Sequence, residues 1–533
     1  MKKNISAENK SSFVSGVFIL SFSTLIVKII GLAFKIPMLS LLGMEGMGYF
    51  NSAYEIYAVL CVIATAGLPV ALSLLISSAR ASNDTLRIKE IYRSAVKIFL
   101  IFGIFGTAIM LVFAGPLADL IGNSEAYFCI LAIAPALLFI CLASAIRGYC
   151  QGFEDMRPTA ISQLLEALSK LVLGVVFAVV GIKFGLSIPK IAALAVLGIT
   201  VGTLLSACYL AVVGRRHRVE PITSAADSKK GYRGVLLKIA LPITLGAAVL
   251  SLTRVLDMVL IMRRLQDVGF SQMRANEIYG AYTTLALPVF SLIPSLITPI
   301  SMALIPELAG AIERKNVAGQ MHSVEKSLRL TSILAMPASM AIMLFSRQIL
   351  SLLFSGQTEA IDIAAPLLSL LGASILFSCL ITTTNAILQS YRCVGLPIFS
   401  MTVGVVVKAA STHFLLGVDG VYALGAPIGS LACNVTVVLL NFAFIIKYTK
   451  NTEDALRVGK TFIKPFLSSA LSVGASYALF LLFESKNMSE SLAFAISALI
   501  AVILYCIFVF LLGLMEREDL KMIPIVGRLI KDK

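Results

Sequence analysis

Apolar residues do not alternate along this chain with the period of a half-buried strand. They come in runs of about 20, parted by short polar stretches. A helix rising about 1.5 Å per residue needs a run of that length to cross about 30 Å of hydrocarbon. The pattern predicts an all-α polytopic membrane protein with about fourteen transmembrane helices, near residues 13–35, 50–79, 92–114, 126–149, 160–182, 190–213, 235–262, 277–305, 328–346, 360–389, 396–416, 421–446, 464–483 and 490–513. Met1 to Ser12 is polar and basic, and the first apolar run leads to another span rather than to a small-residue cleavage site. No removed signal peptide is therefore expected.

Lys and Arg are distributed unevenly across the alternating connections. With the N-terminus inside, 32 of the 44 fall on the cytosolic side, 8 on the outer side, and Lys28, Lys170, Arg254 and Lys408 lie within spans. That asymmetry predicts an even number of spans and both termini in the cytosol of a bacterial plasma membrane. The chain of 533 residues is 58% hydrophobic and 14% charged, outside the range of soluble domains. Its net charge of +15 is spread over short loops, such as Arg215, Arg216, Arg218 and Lys229 to Arg233, which suits lipid headgroups and excludes a nucleic-acid partner. The nine cysteines, Cys61, Cys141, Cys208 and Cys433 among them, have neither paired spacing nor a nearby His. They read as small core residues, and no metal site is expected.

The spans repeat. Arg147, Gln151 and Lys170 recur 238 positions later as Asn385, Gln389 and Lys408, with Pro158 and Pro397 between them. Ala134-Pro135 matches Ala365-Pro366, Met110-Leu111 matches Met343-Leu344, and Ala53-Tyr54 matches Ala281-Tyr282. Six spans separate the copies, an even number, so the halves enter the membrane with the same polarity, as in transporters built from parallel repeats. The organisation expected is two pseudo-symmetric six-helix bundles, 1–218 and 235–450, joined by a cytosolic linker at 219–234, with two further helices and a cytosolic tail in 451–533.

A basic side chain at the bilayer centre costs about 2.5–3.5 kcal/mol, so each needs a partner, water or a route to the interface. Lys170 and Lys408 are repeat mates near the midplane. Glu166 stands one turn before Lys170, and Arg254 and Asp257 form a similar couple in the seventh span. Either pair serves as a structural bridge or as a substrate contact. Lys408 has Gly404, Ser411 and Thr412 on its face and no acid within a turn, which makes it the best single ligand-facing cation. Ser21, Thr24, Lys28, Gly31 and Lys35 form one polar stripe down the first span. Lys35, at its end, is expected to snorkel to the outer headgroups or to join the cations facing a substrate. Glu55 is open to pairing with Lys28 or to holding a coupling cation. Pro69, Pro242, Pro288, Pro294, Pro299 and Pro337 fall inside apolar runs, as fixed kinks or, for Pro69, Pro288, Pro294 and Pro299, as bending elements of a gate.

Around these residues lie Gly31 to Pro37, the Gly43, Gly46, Gly48-Tyr49 turn, Gly67-Leu68-Pro69-Val70-Ala71-Leu72-Ser73, and Arg147-Gly148-Tyr149 running through Gln151-Gly152 to Pro158-Thr159-Ala160. With them the chain resembles, over nearly its whole length, the SpoVB-like polysaccharide biosynthesis proteins. These are relatives of the MurJ lipid II flippases in the superfamily that includes multidrug extruders. One departure is Leu74 after Ser73, where relatives often carry Lys. The resemblance implies a fourteen-span fold whose first helices line a cavity with basic residues, matched here by Lys28 and Lys35, and whose last two helices guide a polyprenyl tail.

The expected function is a flippase moving a polyprenyl diphosphate-linked precursor such as lipid II from the inner to the outer leaflet by alternating access. Lys28, Lys35, Lys170, Lys408 and Arg254 would face the diphosphate, and Glu55, Glu166 and Asp257 would serve as a coupling-ion site or structural partners. No catalytic residue and no cofactor are expected. The chain has no Walker pattern, which leaves Na⁺, H⁺ or the membrane potential as the driving force. The partners expected are the lipid-linked sugar, the bilayer and cell-envelope synthesis proteins. The alternatives are a cation-coupled multidrug extruder, which calls for an acidic aromatic cavity, and a membrane glycosyltransferase or ligase. The second is disfavoured by three distant histidines, His217, His322 and His413, and by short outer loops.

Overall fold

In hydrocarbon the backbone can satisfy its N–H and C=O groups only within itself, and long apolar runs therefore coil. The computed structural model describes residues 2–82, 84–214, 232–393, 395–449 and 459–514, and no strand occurs among them. The α-helices are, in order, α1 Lys2–Thr65, α2 Leu68–Ala81, α3 Thr85–Val112, α4 Ala114–Ile121, α5 Tyr127–Gly152, α6 Arg157–Lys183, α7 Ile188–Val213, α8 Arg233–Asp267, α9 Gln272–Ala281, α10 Leu287–Glu313, α11 Val317–Leu344, α12 Ser346–Leu353, α13 Thr358–Ser390, α14 Gly395–Leu415, α15 Gly425–Thr449, α16 Lys464–Ser485 and α17 Glu490–Leu511.

Among the described residues, 13 helical stretches are long and apolar enough to cross a membrane, and the first, Phe22–Ala81, runs for 60 residues. That stretch is two crossings. Gly43 interrupts α1 with φ 65° and ψ −175°, a backbone conformation that glycine alone takes without strain. Phe34 and Phe50, which a straight helix would hold about 24 Å apart, have ring centroids 5.6 Å apart. The chain therefore doubles back at Gly43, and α1 is a helical hairpin. The fourteen spans of the sequence pattern and the 13 helical stretches agree once this hairpin is counted twice.

The repeat is visible in the elements as well. Asp84 caps α3 by accepting the Arg87 amide at 2.9 Å, and Asn316, 232 positions later, caps α11 by accepting the Gly319 amide at 3.0 Å. Both helices have 28 residues, end at a phenylalanine (Phe113, Phe345) and are followed by helices of 8 residues, α4 and α12.

Packing divides the chain into two compact units, Met1–Thr284 and Leu285–Lys533. In the first, α5 lies between α3 and α7, α6 packs on α7 and α1, and α8 and α9 pack on α1. The unit thus continues beyond the linker expected at 219–234, most of which falls outside the described residues. Its core joins Leu72, Ile76, Ile91, Phe99 and Cys150 to Leu236 of α8. Helices approach closely where side chains are smallest. A Cβ on Gly198 of α7 would fall 2.5 Å from the Gly174 nitrogen of α6, so this crossing admits nothing larger.

In the second unit, Leu308, Val324, Leu328, Ile387 and Val438 tie α10, α11, α13 and α15 together, and α14 packs on α15. The last two helices attach through Phe345, Val473, Phe480 and Ala493 and through a stripe of buried serines on α16, of which Ser476 donates to the Ser497 carbonyl. Large apolar side chains such as Phe105, Val112 and Leu499 stand outward, at no cost when the solvent is lipid.

One of the expected helix breakers is not internal. Pro69 occupies the first turn of α2, where the missing N–H had no helical acceptor anyway, so it starts a helix rather than kinking one. Pro288, in the first turn of α10, follows directly on the helical stretch that begins at Gln272 and lacks the N–H that the preceding turn would use. Pro242 and Pro337 do lie inside α8 and α11, and Pro294 and Pro299 inside α10, although the Pro299 side chain is outside the described residues.

Candidate functional site: a basic cluster beside an aromatic box

Because α1 folds back at Gly43, residues from both of its arms meet α6. Lys170 of α6 extends its ammonium over Phe34, Phe50 and Tyr54, with Nζ 4.8, 5.5 and 4.7 Å from the ring centroids. Phe34 belongs to the first arm, and Phe50 and Tyr54 to the second. The Phe34 ring packs on Gly174, one turn beyond Lys170, where a Cβ would lie 3.0 Å from Cε2 of Phe34 and press the ring out of its place.

Lys35 takes a different acceptor. Its ammonium donates to the Thr283 carbonyl, in a π-helical turn over Tyr282–Ala286 that precedes α10. In such a turn the Thr283 carbonyl would bond the N–H five residues on, but that residue is Pro288, which has none. Lys35 fills the vacancy, and Asn51 donates to the Thr283 and Thr284 hydroxyls, both at 2.9 Å. The expected snorkelling of Lys35 to the headgroups is thus corrected, since a freed carbonyl within the unit offers it a nearer acceptor.

Arg254 Nη1 of α8 stands 3.9 Å from Glu55 Oε2 of α1, and Lys35 and Asp257 lie within electrostatic reach of the same carboxylate. Glu55 therefore faces Arg254 and Lys35. Glu166 does not form the expected bridge to Lys170 one turn on, although Lys170 remains in its field. It binds Arg147 of α5 at 3.1 Å, while the same guanidinium donates to Ser162 at 2.9 Å and to Ser206 at 3.1 Å. Lys28 is exposed on α1, two turns before Lys35.

The structure thus brings Lys35, Lys170, Arg254, Glu55, Asp257 and Glu166 into one unit, with Lys28 on the same helix as Lys35. Lys408 belongs to the other unit, half-buried on α14 where Gly429 of α15 packs close to its carbonyl. A buried polar network next to the cluster, with Asn123 donating to Ser52 and Asn276, and Asn276 donating to the Glu45 carbonyl, was not singled out from the sequence. Neither were the three rings around Lys170. Their only signal was Gly174 spaced four residues after a midplane lysine.

A helical membrane fold with repeated spans and intramembrane cations recurs in transporters, and comparison with known proteins finds such proteins among those similar to this chain. Residues 13–311 match the family described as polysaccharide biosynthesis protein, and residues 280–413 match the MatE family. The chain belongs to the polysaccharide biosynthesis protein family. It is 27% identical to stage V sporulation protein B of Bacillus subtilis (strain 168), over 98% of this chain and 99% of that protein. It is 22% identical to the lipid II flippase MurJ of the same organism, over 93% and 95%. Among solved structures, MurJ in an inward closed conformation superposes with a TM-score of 0.71, at 15% identity, over 92% of this chain and 98% of that one. An inward-facing multidrug resistance MATE family transporter gives 0.62, at 16% identity, over 81% and 100%. The fold is shared with both, and the chain is a multi-pass membrane protein.

Proposed function

We propose that this protein flips a polyprenyl diphosphate-linked cell-wall or polysaccharide precursor from the inner to the outer leaflet of a bacterial plasma membrane, with both termini in the cytosol. The observation that carries the reading is the imbalance of charge in the first unit. Lys35, Lys170, Arg254 and Lys28 are set against Glu55 and Asp257, while Glu166 is taken up by Arg147. Each cation placed in hydrocarbon costs about 2.5–3.5 kcal/mol on insertion scales, and an excess of them is useful where an anion is to be drawn in. A diphosphate headgroup is such an anion, and its tail is already at home in lipid. Lys408, repeat mate of Lys170, supplies the same charge to the second unit. The kinship with a lipid II flippase supports the choice of cargo.

A negative-inside potential favours outward movement of an anion by about 2.3 kcal/mol per charge per 100 mV, so no nucleotide is needed. The test is flipping of defined polyprenyl diphosphate sugars by purified protein in vesicles, with and without an imposed potential. Alanine at Lys35 and at Lys408 is expected to abolish flipping while folded protein is retained. Full flipping by both variants would remove the cations from the mechanism, and flipping indifferent to the potential would remove the driving force. A second reading, a cation-coupled multidrug extruder, is favoured by one feature, Glu55 and Asp257 lying close together in a MATE-like fold. Export of a cationic dye with no handling of the lipid-linked sugar would select it.

A further inference from the structure

The box around Lys170 has properties that an ordinary buried ion pair lacks. Phe34 and Phe50 are fully buried, at 1% and 2% exposure, so the walls are fixed by packing. Their positions depend on Gly174, which admits the Phe34 ring, and on Gly198, which lets α7 close on α6 behind it. The carboxylate one turn away, Glu166, is engaged by Arg147. The ammonium is therefore held by ring faces, whose quadrupoles attract a cation from within about 6 Å of the centroid. Rings, unlike a carboxylate, hold a cation without cancelling its charge. Lys170 thus stays available to an anion while being kept in place between visits.

We propose that Phe34, Phe50 and Tyr54 form a binding site for small organic ammonium ions whose resident occupant is the chain's own Lys170 side chain. The tether makes the site self-filling, and a free ammonium ion finds it closed. Resting on the flippase reading, one further consequence follows: Lys170 sets the sign of the charge that this unit accepts, and its removal exchanges an anion-attracting group for a cation-accepting box.

The experiment uses the full-length protein purified in detergent and propylammonium chloride, whose four heavy atoms replace those lost in Lys170→Ala. Calorimetric titration is expected to show binding to Lys170→Ala at least about tenfold tighter than to the wild type, and loss of that gain in Lys170→Ala/Tyr54→Leu. The neutral analogue propanol is expected to bind neither. Equal affinity for wild type and Lys170→Ala, or equal binding of propanol, overturns the proposal. Should Lys170→Ala be recovered folded only when propylammonium is present, that requirement supports the same occupancy, and failure to recover it even then overturns it. Flipping is measured on the same preparations. A box that binds the amine in a variant that still flips the anionic lipid leaves the site standing and removes Lys170 from transport.

Discussion

The α5–α6–α7 layer of the first unit and the α13–α14–α15 layer of the second occupy matching places in the repeat, yet different chemistry holds them. In the first, Arg147 reaches from α5 to Ser162 and Glu166 on α6 and to Ser206 on α7. In the second, the position of Arg147 is Asn385. It accepts from Asn441 of α15 at 2.9 Å, and Asn441 also donates to Thr384 at 3.0 Å. Ser400, the counterpart of Ser162, bonds its own helix at the Leu396 carbonyl, because Asn385 is too short to claim it. At the position of Glu166, α14 has Gly404, and Val437 and Cys433 of α15 pack into the space its missing side chain leaves. One arrangement of three helices is therefore held by an ion pair with two serines or by two amides and a valine. Charge is dispensable for the architecture, and its concentration in the first unit, next to the Lys170 box, points to use rather than support.

The largest effect that tests this contrast is the loss of the ion pair. Glu166→Gln leaves a nearly buried guanidinium without its carboxylate and is expected to cost about 3 kcal/mol, the lower end for breaking a buried pair because Glu166 keeps some access to water. Arg147→Met/Glu166→Leu, which removes both charges, is expected to recover most of that loss. Asn441→Ala in the second unit is expected to cost only about 1 kcal/mol. Unfolding in detergent measures all three, and equal losses for Glu166→Gln and Asn441→Ala would erase the distinction between the layers.

A smaller effect tests the packing at Gly404. A Cβ on Gly404 would collide with Cγ2 of Val437, a stiff branched side chain, whereas a Cβ on Gly202 would meet its nearest atoms at 3.2 Å. Gly404→Ala is expected to cost about 2 kcal/mol by overpacking and Gly202→Ala about 1 kcal/mol or less, and Val437→Ala introduced with Gly404→Ala is expected to restore most of the stability. Melting temperatures of the four proteins decide it.

The smallest effect concerns what the repeats share. Asp84→Ala and Asn316→Ala each remove one capping acceptor and are each expected to cost about 1 kcal/mol, with faster hydrogen exchange confined to the first turns of α3 and α11. A cost at one cap and none at the other would show that the halves differ even where their caps correspond.

Much of this fold was legible in the sequence because the bilayer imposes a length on every apolar run. The repeat was legible too, since Arg147 and Lys170 keep their spacing as Asn385 and Lys408. Partners across helices were not. Helical spacing matches Glu166 to Lys170, while the structure sets it against Arg147, and spacing names no cross-helix partner for Glu55, which the structure sets against Arg254, since packing brings groups of other helices nearer than the next turn does. Pro69 looked like an interior kink because a run of apolar residues hides the end of a helix. Tyr54 was noticed only as half of a repeated dipeptide. Its role as a wall beside Lys170 depends on the reversal at Gly43, which no periodicity announces.

The bond from Lys35 to the Thr283 carbonyl spans 248 residues. Ribosomes add about 5–20 residues per second, so the first helix waits roughly 10–50 s before its acceptor has been synthesised. During that interval Lys35 belongs to an unfinished hairpin and must be sheltered by water or by the insertion machinery. The order of synthesis therefore makes the earliest part of this chain among the last to settle.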